Sequence, residues 1–503
     1  MLLLVYSMYE ALGRKNFDRA ILALVAAALL GGIFFITVHT YIHPWDERYH
    51  ALVASNLIHH PLKPTLVDIP YLPVDPESWS AGHIWMHKQP FFLWLMAGSI
   101  RLFGHTYWAI RIPSLLGVLA MLGLLYSICT TLDREHGKRW GYWAALLLGS
   151  NAYIWNMTSG LMGMDHNDII FMTLVTTSFW CWVKLEKHET LGWSIGLGLA
   201  MAAAVLTKWL TGLLVLEAWG LYHLLFKRDL FRWNTIKQIL PAAGVTAVLV
   251  GSWVGYCLTA FPAEMRHELA YHSKHIWEAV EGHSEPLWFY FKQLPVNYFY
   301  AAWLLIPGVL WALYRARTAS MMTCILACIV TVYLFFTFAN TKMNGYVLMV
   351  LPLMCLLMAY PLGWLRWNSI AGKTALILLA MVVWCGHMNL NVTWNLHLVG
   401  NNMLDYGELR DVKTREQLVY RSISPASLDK IDCLMGVQDP VVCMFFTGKT
   451  AYSTFTPEQA DSLLKAGVKM GYLPEPYRRP VFDKIPPGMM LEMQIDSSRW
   501  EKP

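Results

Sequence analysis

Two adjacent carboxylates, Asp46 and Glu47, stand a few residues beyond the first long apolar stretch of the chain. A carboxylate at the water edge of a membrane can act as a general base that takes a proton from an attacking hydroxyl or amine. It can equally cap a helix N-terminus and complement the helix dipole. Both interpretations stay open here, and the acidic stretch Asp165 to Asp168 presents the same choice.

Four cationic side chains stand near the ends of apolar stretches: Arg48, Lys88, Lys208 and Lys342. A cation in such a place can neutralise a lipid phosphate and so assist its departure as a leaving group. Alternatively, a lysine there extends its aliphatic stem along the membrane interface and keeps its charge in water. Lys208 is the more telling case, because it interrupts an otherwise apolar hairpin.

His83 and His87 are four residues apart, so on a helix they would share one face and could hold a metal ion. His283, on another loop, could complete such a site, whereas polar interface histidines are the alternative. Cys433 and Cys443 lie in the polar tail. They form either a disulfide in an oxidising compartment or two separate small core residues.

Composition identifies the class of protein. Of the 503 residues, 56% are hydrophobic and only 15% are charged, against about 45–50% apolar residues in a typical soluble domain. The chain is therefore expected to be an integral membrane protein. Its net charge of +5 is too small to suggest a nucleic-acid partner.

Apolar runs of roughly 17–25 residues predict membrane-spanning helices. We predict eleven spans, at about 20–38, 107–129, 140–158, 168–184, 191–206, 209–226, 239–260, 297–314, 320–338, 346–366 and 372–392. The excess of Lys and Arg in alternate short loops places the N-terminus in the cytoplasm. The segments 39–106 and 261–296 and everything after about 393 then lie outside, so the polar clusters could line one outer cavity.

The outer segments have structure of their own. Residues Asp46 to His60 follow a helical pattern, and the run Phe91 to Phe103 is too short to span, so it is expected to lie in the interface. These are the interfacial helices of the first outer loop, within a transmembrane domain of residues 1–392. The tail, 393–503, predicts a small extracytoplasmic α/β domain, with a strand at 440–446 and a helix that begins at Thr456 and ends at Gly467.

Several of these stretches, taken in order from about residue 20 to 365, resemble the C-type (GT-C fold) membrane glycosyltransferases. More narrowly, they are similar to the protein O-mannosyltransferase and aminoarabinose (lipid A) transferase group. The motifs are Asp46-Glu47, Lys88-Gln89-Pro90 with its aromatic run, Arg111-Ile112-Pro113-Ser114, Asp165, Leu206-Thr207-Lys208, His283 with Pro286 to Tyr290, and Lys342 with Tyr346. The chain departs from the group at Gln89, at His87, where aminoarabinose transferases carry a metal-binding glutamate, and at Arg48, one position before their arginine.

The resemblance implies transfer of a hexosyl or pentosyl group from a polyprenyl-phosphate carrier to an acceptor outside the cytoplasm. It implies Asp46 as the base of an inverting displacement, with Glu47 and Asp165 orienting the acceptor or sharing that work. The residues implied at the donor phosphate are Lys88, Lys208, Lys342, Tyr346 and Arg48. No nucleotide cofactor is expected, and a divalent metal ion at His83, His87 and His283 stays open.

The expected partners are the donor lipid, a protein or glycolipid acceptor and the surrounding membrane lipids, with the chain acting as a monomer in a bacterial inner membrane. A membrane transporter or flippase is the alternative. Transporters place ionisable groups near mid-membrane and often show repeated halves. Here the ionisable groups stand at span ends and the sequence shows no repeat, so the transferase is favoured.

Overall fold

A computed structural model of the chain describes residues 2–76, 78–160, 166–316, 318–364, 373–374, 406–474, 477 and 490–496. It divides into two compact units. The first comprises Met1–Phe35, Pro113–Thr158 and Asp165–Asn395, and the second comprises Ile36–Ile112, Ser159–Met164 and Leu396–Pro503. From the sequence, residues 39–106 are assigned to the transmembrane domain. In the structure this loop belongs to the same compact unit as the tail.

The described chain is mostly helical. Its α-helices, in chain order, are α1 (Leu2–Met8), α2 (Phe17–Val38), α3 (Asp46–Leu57), α4 (Pro90–Phe103), α5 (Ile112–Leu132), α6 (Gly137–Gly149), α7 (Ala152–Thr158), α8 (His166–His188), α9 (Leu191–Lys208), α10 (Leu214–Leu221), α11 (Trp233–Ala260), α12 (Pro262–Trp277), α13 (Phe289–Tyr298), α14 (Leu305–Tyr314), α15 (Ser320–Phe338), α16 (Leu351–Ala359), α17 (Tyr406–Arg421), α18 (Pro425–Leu428), α19 (Pro440–Thr447) and α20 (Pro457–Lys465).

Within these described residues, seven helical segments are long and apolar enough to cross a membrane. They are Phe17–Val38, Ala109–Leu132, His166–His188, Leu191–Lys227, Trp233–Ala260, Ser320–Phe338 and Asn344–Gly363. The chain is therefore an integral membrane protein. Apart from residues 373–374, the predicted span at 372–392 lies outside the described residues.

The predicted span 140–158 is wrong as a single helix, because the chain breaks between α6 and α7. At the break the Asn151 side chain accepts a hydrogen bond from the amide of Ile154 at 3.2 Å, and Ser150 donates to the carbonyl of Leu147. These side chains offer the backbone an alternative to the helical ladder. Neither resulting helix is long enough to cross the membrane.

Three other predicted spans are modified at residues with positive φ. The pair 191–206 and 209–226 forms one segment, Leu191–Lys227, with a break at Trp209, where φ is 61°. The predicted span 297–314 is part of a bent pair, Phe289–Tyr298 and Ala301–Tyr314, whose axes meet at 111° near Phe299.

In the second unit, the predicted helix after Asp46 is confirmed as α3. The short apolar run is confirmed as helix α4, whose first residue is Pro90. Proline is favoured there because its fixed φ suits the helix and the first amide needs no partner.

The described part of the tail holds a four-stranded parallel sheet of short strands, β1 (Cys433–Met435), β2 (Thr450–Tyr452), β3 (Met470–Tyr472) and β4 (Leu491–Glu492). The order is β2-β1-β3-β4, with Cys433 beside both Thr450 and Met470. Cys433 and Cys443 are both buried free thiols, so they are two separate core residues and do not form a disulfide.

The predicted strand at 440–446 is wrong, since these residues form helix α19. Asp439 caps it by accepting a hydrogen bond from the amide of Val442 at 3.2 Å. The predicted helix start at Thr456 is confirmed with its full capping box, in which Thr456 and Gln459 bond each other's backbone amides. Gly467, at φ 79°, follows that helix.

Candidate active site

The acidic pair lies in the first turn of α3, in the second unit. The N-cap of that helix is Trp45, which makes no side-chain capping hydrogen bond, so neither carboxylate is the cap that the sequence left open. Asp46 is half-buried and Glu47 is buried. The two neighbours therefore occupy different environments, which allows different roles.

Glu47 forms a buried ion pair with Arg111, from the start of the Arg-Ile-Pro-Ser stretch. The Arg111 Nε lies 2.8 Å from Glu47 Oε1 and its Nη2 lies 3.1 Å from Oε2. The guanidinium also donates to the carbonyls of His39 and Tyr41, each at 2.7 Å. Arg111 is fully buried, so this fork fixes the start of α3 against the chain that leaves the first span.

The carboxylate of Glu47 has a second task. Its Oε2 accepts a hydrogen bond from the amide of His43 at 2.6 Å, which closes the turn that leads into α3. Gly160 lies against the same pair with φ 69°. A Cβ there would come within 2.6 Å of both Arg111 Nη2 and Glu47 Oε1, so only glycine fits this approach.

Arg48 has a partner in the tail. Its Nη1 donates to Asp439 Oδ2 at 2.8 Å, and its Nη2 donates to the Tyr49 hydroxyl at 3.2 Å. Burial is the largest influence and lowers the pKa of Arg48, but the Asp439 carboxylate and Tyr49 together outweigh it, and the pKa is raised. A role for Arg48 at a donor phosphate stays a prediction, and in this structure its guanidinium is paired with the Asp439 carboxylate.

The tail holds the first loop at two further places within the second unit. The Gln417 amide pairs with the backbone of Ile42 through two hydrogen bonds of 2.7 Å. The Tyr452 hydroxyl accepts from the amides of Tyr71 and Leu72 at 2.8 and 2.9 Å. Asp46 thus belongs to a segment that the tail supports on both sides.

The histidines His83 and His87 also lie in the second unit, but on a loop rather than on a helix face. His83 Nδ1 is 2.6 Å from the carbonyl oxygen of Val67, so only its Nε2 is left as a metal ligand. His87 stacks on Trp79 with ring centroids 5.0 Å apart. Lys88 follows, half-buried, directly before α4.

The other candidate residues belong to the first unit. Lys208, at the end of α9, forms an ion pair with Asp168 in the first turn of α8, and Asp168 is buried. The carboxylate of the second acidic stretch that the structure describes thus neutralises this lysine. Asp165 lies outside the described residues.

Lys342 is buried, with its Nζ donating to the carbonyl of Ala339 at 2.7 Å. Its backbone amide donates to the carbonyl of His283 at 3.0 Å, which joins the two loops. Tyr346 lies nearby in sequence, and its hydroxyl is 2.9 Å from His275 Nδ1. Within the first unit, a backbone hydrogen bond therefore places His283 next to Lys342.

Two positioning residues carry no role in the sequence-based prediction. In the sequence, Arg111 belongs to the Arg-Ile-Pro-Ser motif without an assigned role. An arginine at the start of an apolar span is the signal that it needs an acidic partner, which the structure shows to be Glu47. Asp439 gave a helix-start signal with Pro440, but its ion pair joins residues 391 positions apart. A third feature is the pair Glu268 and His272 on α12, with Oε2 and Nε2 3.7 Å apart.

Parts of the chain are similar in sequence to known proteins. Residues 87–255 match the family described as "Dolichyl-phosphate-mannose-protein mannosyltransferase". A relative in Proteus mirabilis, "Undecaprenyl phosphate-alpha-4-amino-4-deoxy-L-arabinose arabinosyl transferase 2", is 26% identical over 66% of this chain and 58% of its own length. A similar transferase of Pectobacterium atrosepticum is 26% identical over 62% of this chain and 54% of its own. The chain therefore spans little more than half the length of these relatives.

Solved structures show the fold. ArnT from Cupriavidus metallidurans bound to undecaprenyl phosphate has a TM-score of 0.59 at 16% identity, covering 91% of this chain and 86% of its own. The oligosaccharyltransferase AglB from Archaeoglobus fulgidus, in complex with an inhibitory peptide and a dolichol-phosphate, has a TM-score of 0.50 at 10% identity, covering 86% and 64%. The chain thus has the GT-C fold and is similar in sequence to the membrane glycosyltransferases of the protein O-mannosyltransferase and aminoarabinose transferase group.

Proposed function

We propose that this protein transfers a sugar from a polyprenyl-phosphate donor to an acceptor at the outer face of the bacterial inner membrane. The observation that carries the proposal is the first turn of α3, where Asp46 is half-buried and its neighbour Glu47 is held by Arg111. The names of the relatives, which include an undecaprenyl-phosphate-linked arabinosyl transferase, support the donor class. Proteins, lipid A and other surface glycans remain the acceptor classes to be distinguished.

Asp46 is proposed as the general base. It takes the proton from the acceptor hydroxyl or amine while that atom attacks the anomeric carbon and the bond to the lipid phosphate breaks. A single displacement of this kind inverts the anomeric centre. Because Glu47 already accepts hydrogen bonds from Arg111 and His43, we assign it to holding Asp46 in place.

The leaving group is a lipid phosphate, and cations that neutralise its developing charge lower the barrier. We propose Lys88 and Lys342 for this role, with Tyr346 as a neutral donor. We propose Lys208 for the same role. It is paired with Asp168, and the donor phosphate would replace that carboxylate as its counter-ion. Asp165 is retained as an acceptor-orienting residue.

The proposal also includes a divalent metal ion, with His87 and His283 as ligands and His83 contributing through Nε2. A metal would neutralise the same phosphate charge. Treatment with a chelator should then abolish transfer, and Mn²⁺, Mg²⁺ or Zn²⁺ should restore it. Full activity in a chelator that strips all three ions removes the metal from the proposal.

The decisive experiment uses the purified full-length protein with undecaprenyl-phosphate sugars and membrane acceptors, and follows the products by mass spectrometry. Wild-type protein should convert donor to undecaprenyl phosphate and glycosylated acceptor. Asp46→Asn should lower the rate by at least about a hundredfold, the usual contribution of a general base. Asp75→Asn, an exposed carboxylate on the same loop, is the matched control and should keep full activity. Transfer by Asp46→Asn at the wild-type rate would falsify the base assignment.

A further inference from the structure

An apolar groove lies between the end of α3 and the outer face of α4, entirely within the second unit. Its volume is about 330 Å³, in the range of small-molecule sites. The lining residues are Leu57, Ile58, Pro61, Leu62, Trp94, Ala97, Gly98 and Arg101. None of them belongs to the proposed catalytic set, so the groove is a separate feature.

Gly98 keeps the groove open. It lies inside α4, where glycine lowers helix stability relative to alanine. A Cβ at this position would meet no atom within 4 Å, so packing does not require glycine here. One wall is the Trp94 indole, which is fixed by its hydrogen bond to the carbonyl of Pro61 at 2.8 Å. The indole N–H is therefore satisfied, and the ring has a fixed place in the lining of the groove.

The groove has a basic end. Arg101 lines it, is exposed, and forms no hydrogen bond or ion pair with any residue in the described part of the chain. Three more basic residues, His59, His60 and Lys63, adjoin the lining residues Ile58, Pro61 and Leu62 along the chain. Asp68, 3.7 Å from His60, is the acidic group near them. An apolar groove ending at an unpaired guanidinium is complementary to one acyl chain joined to a phosphate.

The position of α4 indicates where such a ligand comes from. The helix has 14 residues, which span about 21 Å and cannot cross a hydrocarbon core of about 30 Å. Its apolar side chains Leu95, Leu102 and Phe103 are exposed, from 40% to 77%. This combination is typical of a helix that lies in a membrane interface.

We propose that this groove binds one anionic phospholipid, with an acyl chain against Trp94 and Gly98 and its phosphate on Arg101. The lipid ties α4 to the membrane surface. The proposal does not depend on the glycosyl-transfer reaction, because no residue of the groove takes part in it.

Native mass spectrometry of the full-length protein in detergent tests the site. The probes are dioleoyl phosphatidylglycerol and dioleoyl phosphatidylcholine, which share their acyl chains and differ in net charge. Wild-type protein should retain phosphatidylglycerol about tenfold more tightly than phosphatidylcholine. Equal retention of the two lipids would overturn the proposal.

Two substitutions separate the two parts of the site. Gly98→Leu places an apolar side chain in the groove, at a position where its Cβ meets no atom within 4 Å, so it should weaken binding of both lipids about tenfold. Arg101→Ala should remove the preference for phosphatidylglycerol but keep the weaker binding of phosphatidylcholine. The matched controls are Gly123→Leu, on α5 with equally open space, and Arg134→Ala, an exposed arginine elsewhere. Neither control should change lipid binding.

The donor lipid is the competing occupant. Undecaprenyl phosphate added to the wild-type complex should leave phosphatidylglycerol bound. Displacement of phosphatidylglycerol from the wild-type complex by undecaprenyl phosphate would assign the groove to the donor and overturn the proposal. Loss of lipid retention in Gly98→Leu together with unchanged glycosyl transfer would support it, because the groove and the active site would then be separate.

Discussion

Glu47 differs from Asp46 in what surrounds it, although the two are adjacent and share a charge. Its carboxylate is buried with the guanidinium of Arg111, and each atom of that fork has a partner. Removing one member of a buried ion pair leaves the other charge desolvated and unpaired. Substitution of Glu47 is therefore expected to lower the stability of the folded protein.

Glu47→Gln should therefore lower the free energy of unfolding by about 3 kcal/mol, because Arg111 keeps its charge without a counter-ion. Thermal unfolding of the detergent-solubilised protein measures the change. Glu135→Gln, an exposed carboxylate in a short connection, serves as the control and should unfold like the wild type. A Glu47→Gln protein of wild-type stability would mean that the ion pair contributes nothing to folding.

Gly160 gives a matched pair of substitutions at the same scale. Gly160→Ala and Gly448→Ala both place a Cβ at positive φ, 69° and 66°. The alanine at 160 also meets Arg111 and Glu47, whereas the space at 448 is open. Gly448→Ala should cost about 1 kcal/mol from backbone strain alone. Gly160→Ala should cost clearly more, and equal melting temperatures for the two variants would contradict the proposed close packing.

Helix α3 also depends on contacts that are far away along the chain. The pair Arg48–Asp439 and the hydrogen bonds between Gln417 and Ile42 join the first loop to the tail within the second unit. The tail is thus a support for the turn that carries Asp46. This explains why the contacts group residues 36–112 with 396–503.

A double-mutant cycle on Arg48→Gln and Asp439→Asn measures this coupling. Asparagine at 439 can still cap α19, so the substitution removes the ion pair and leaves the cap. We expect a coupling energy of about 1–3 kcal/mol and faster hydrogen exchange at the first-turn amides of α3 in both single variants. Additive single effects, with α3 exchange unchanged, would show that the tail does not hold this helix.

Local signals account for what the sequence predicted at the level of elements. Thr456 followed by Pro457 and Gln459 predicts a capped helix, and α20 has that cap. Asp439 followed by Pro440 is the same kind of signal. The apolar run that follows, 440–446, also has the pattern of a buried strand, which is the prediction that proved wrong. Periodicity cannot separate these cases in a short apolar run. Here the cap is the better guide.

Long-range partners were beyond sequence reasoning. The order of the motifs selects Asp46, Lys208 and Lys342 as candidates, because each motif is local. Which charge neutralises which depends on packing between distant segments, as for Lys208 with Asp168 and Glu47 with Arg111. Likewise, the Ser150–Asn151 break looks like a continuous apolar span, because two polar residues barely change the mean hydropathy.

At the scale of the whole molecule, the prediction to be tested is the orientation in the membrane. Lys and Arg are concentrated in alternate loops between the predicted spans, which predicts a cytoplasmic N-terminus with residues 39–106 outside. The proposed chemistry requires this orientation, because α3, which carries the proposed base, must lie on the outer side, where the donor is used. A reversed orientation would put the proposed base on the side of the membrane opposite to the donor.

Single cysteines report this topology in intact cells. Asp75→Cys and Lys430→Cys should react with a membrane-impermeant maleimide added from outside, whereas Arg134→Cys and Lys187→Cys should react only after permeabilisation. The native cysteines in the described chain are buried, and unmodified protein measures their background. All four sites are exposed, so labelling depends on the side of the membrane rather than on burial. Labelling of Arg134→Cys from outside, with Asp75→Cys protected, would reverse the orientation and remove the outer-face transferase from consideration.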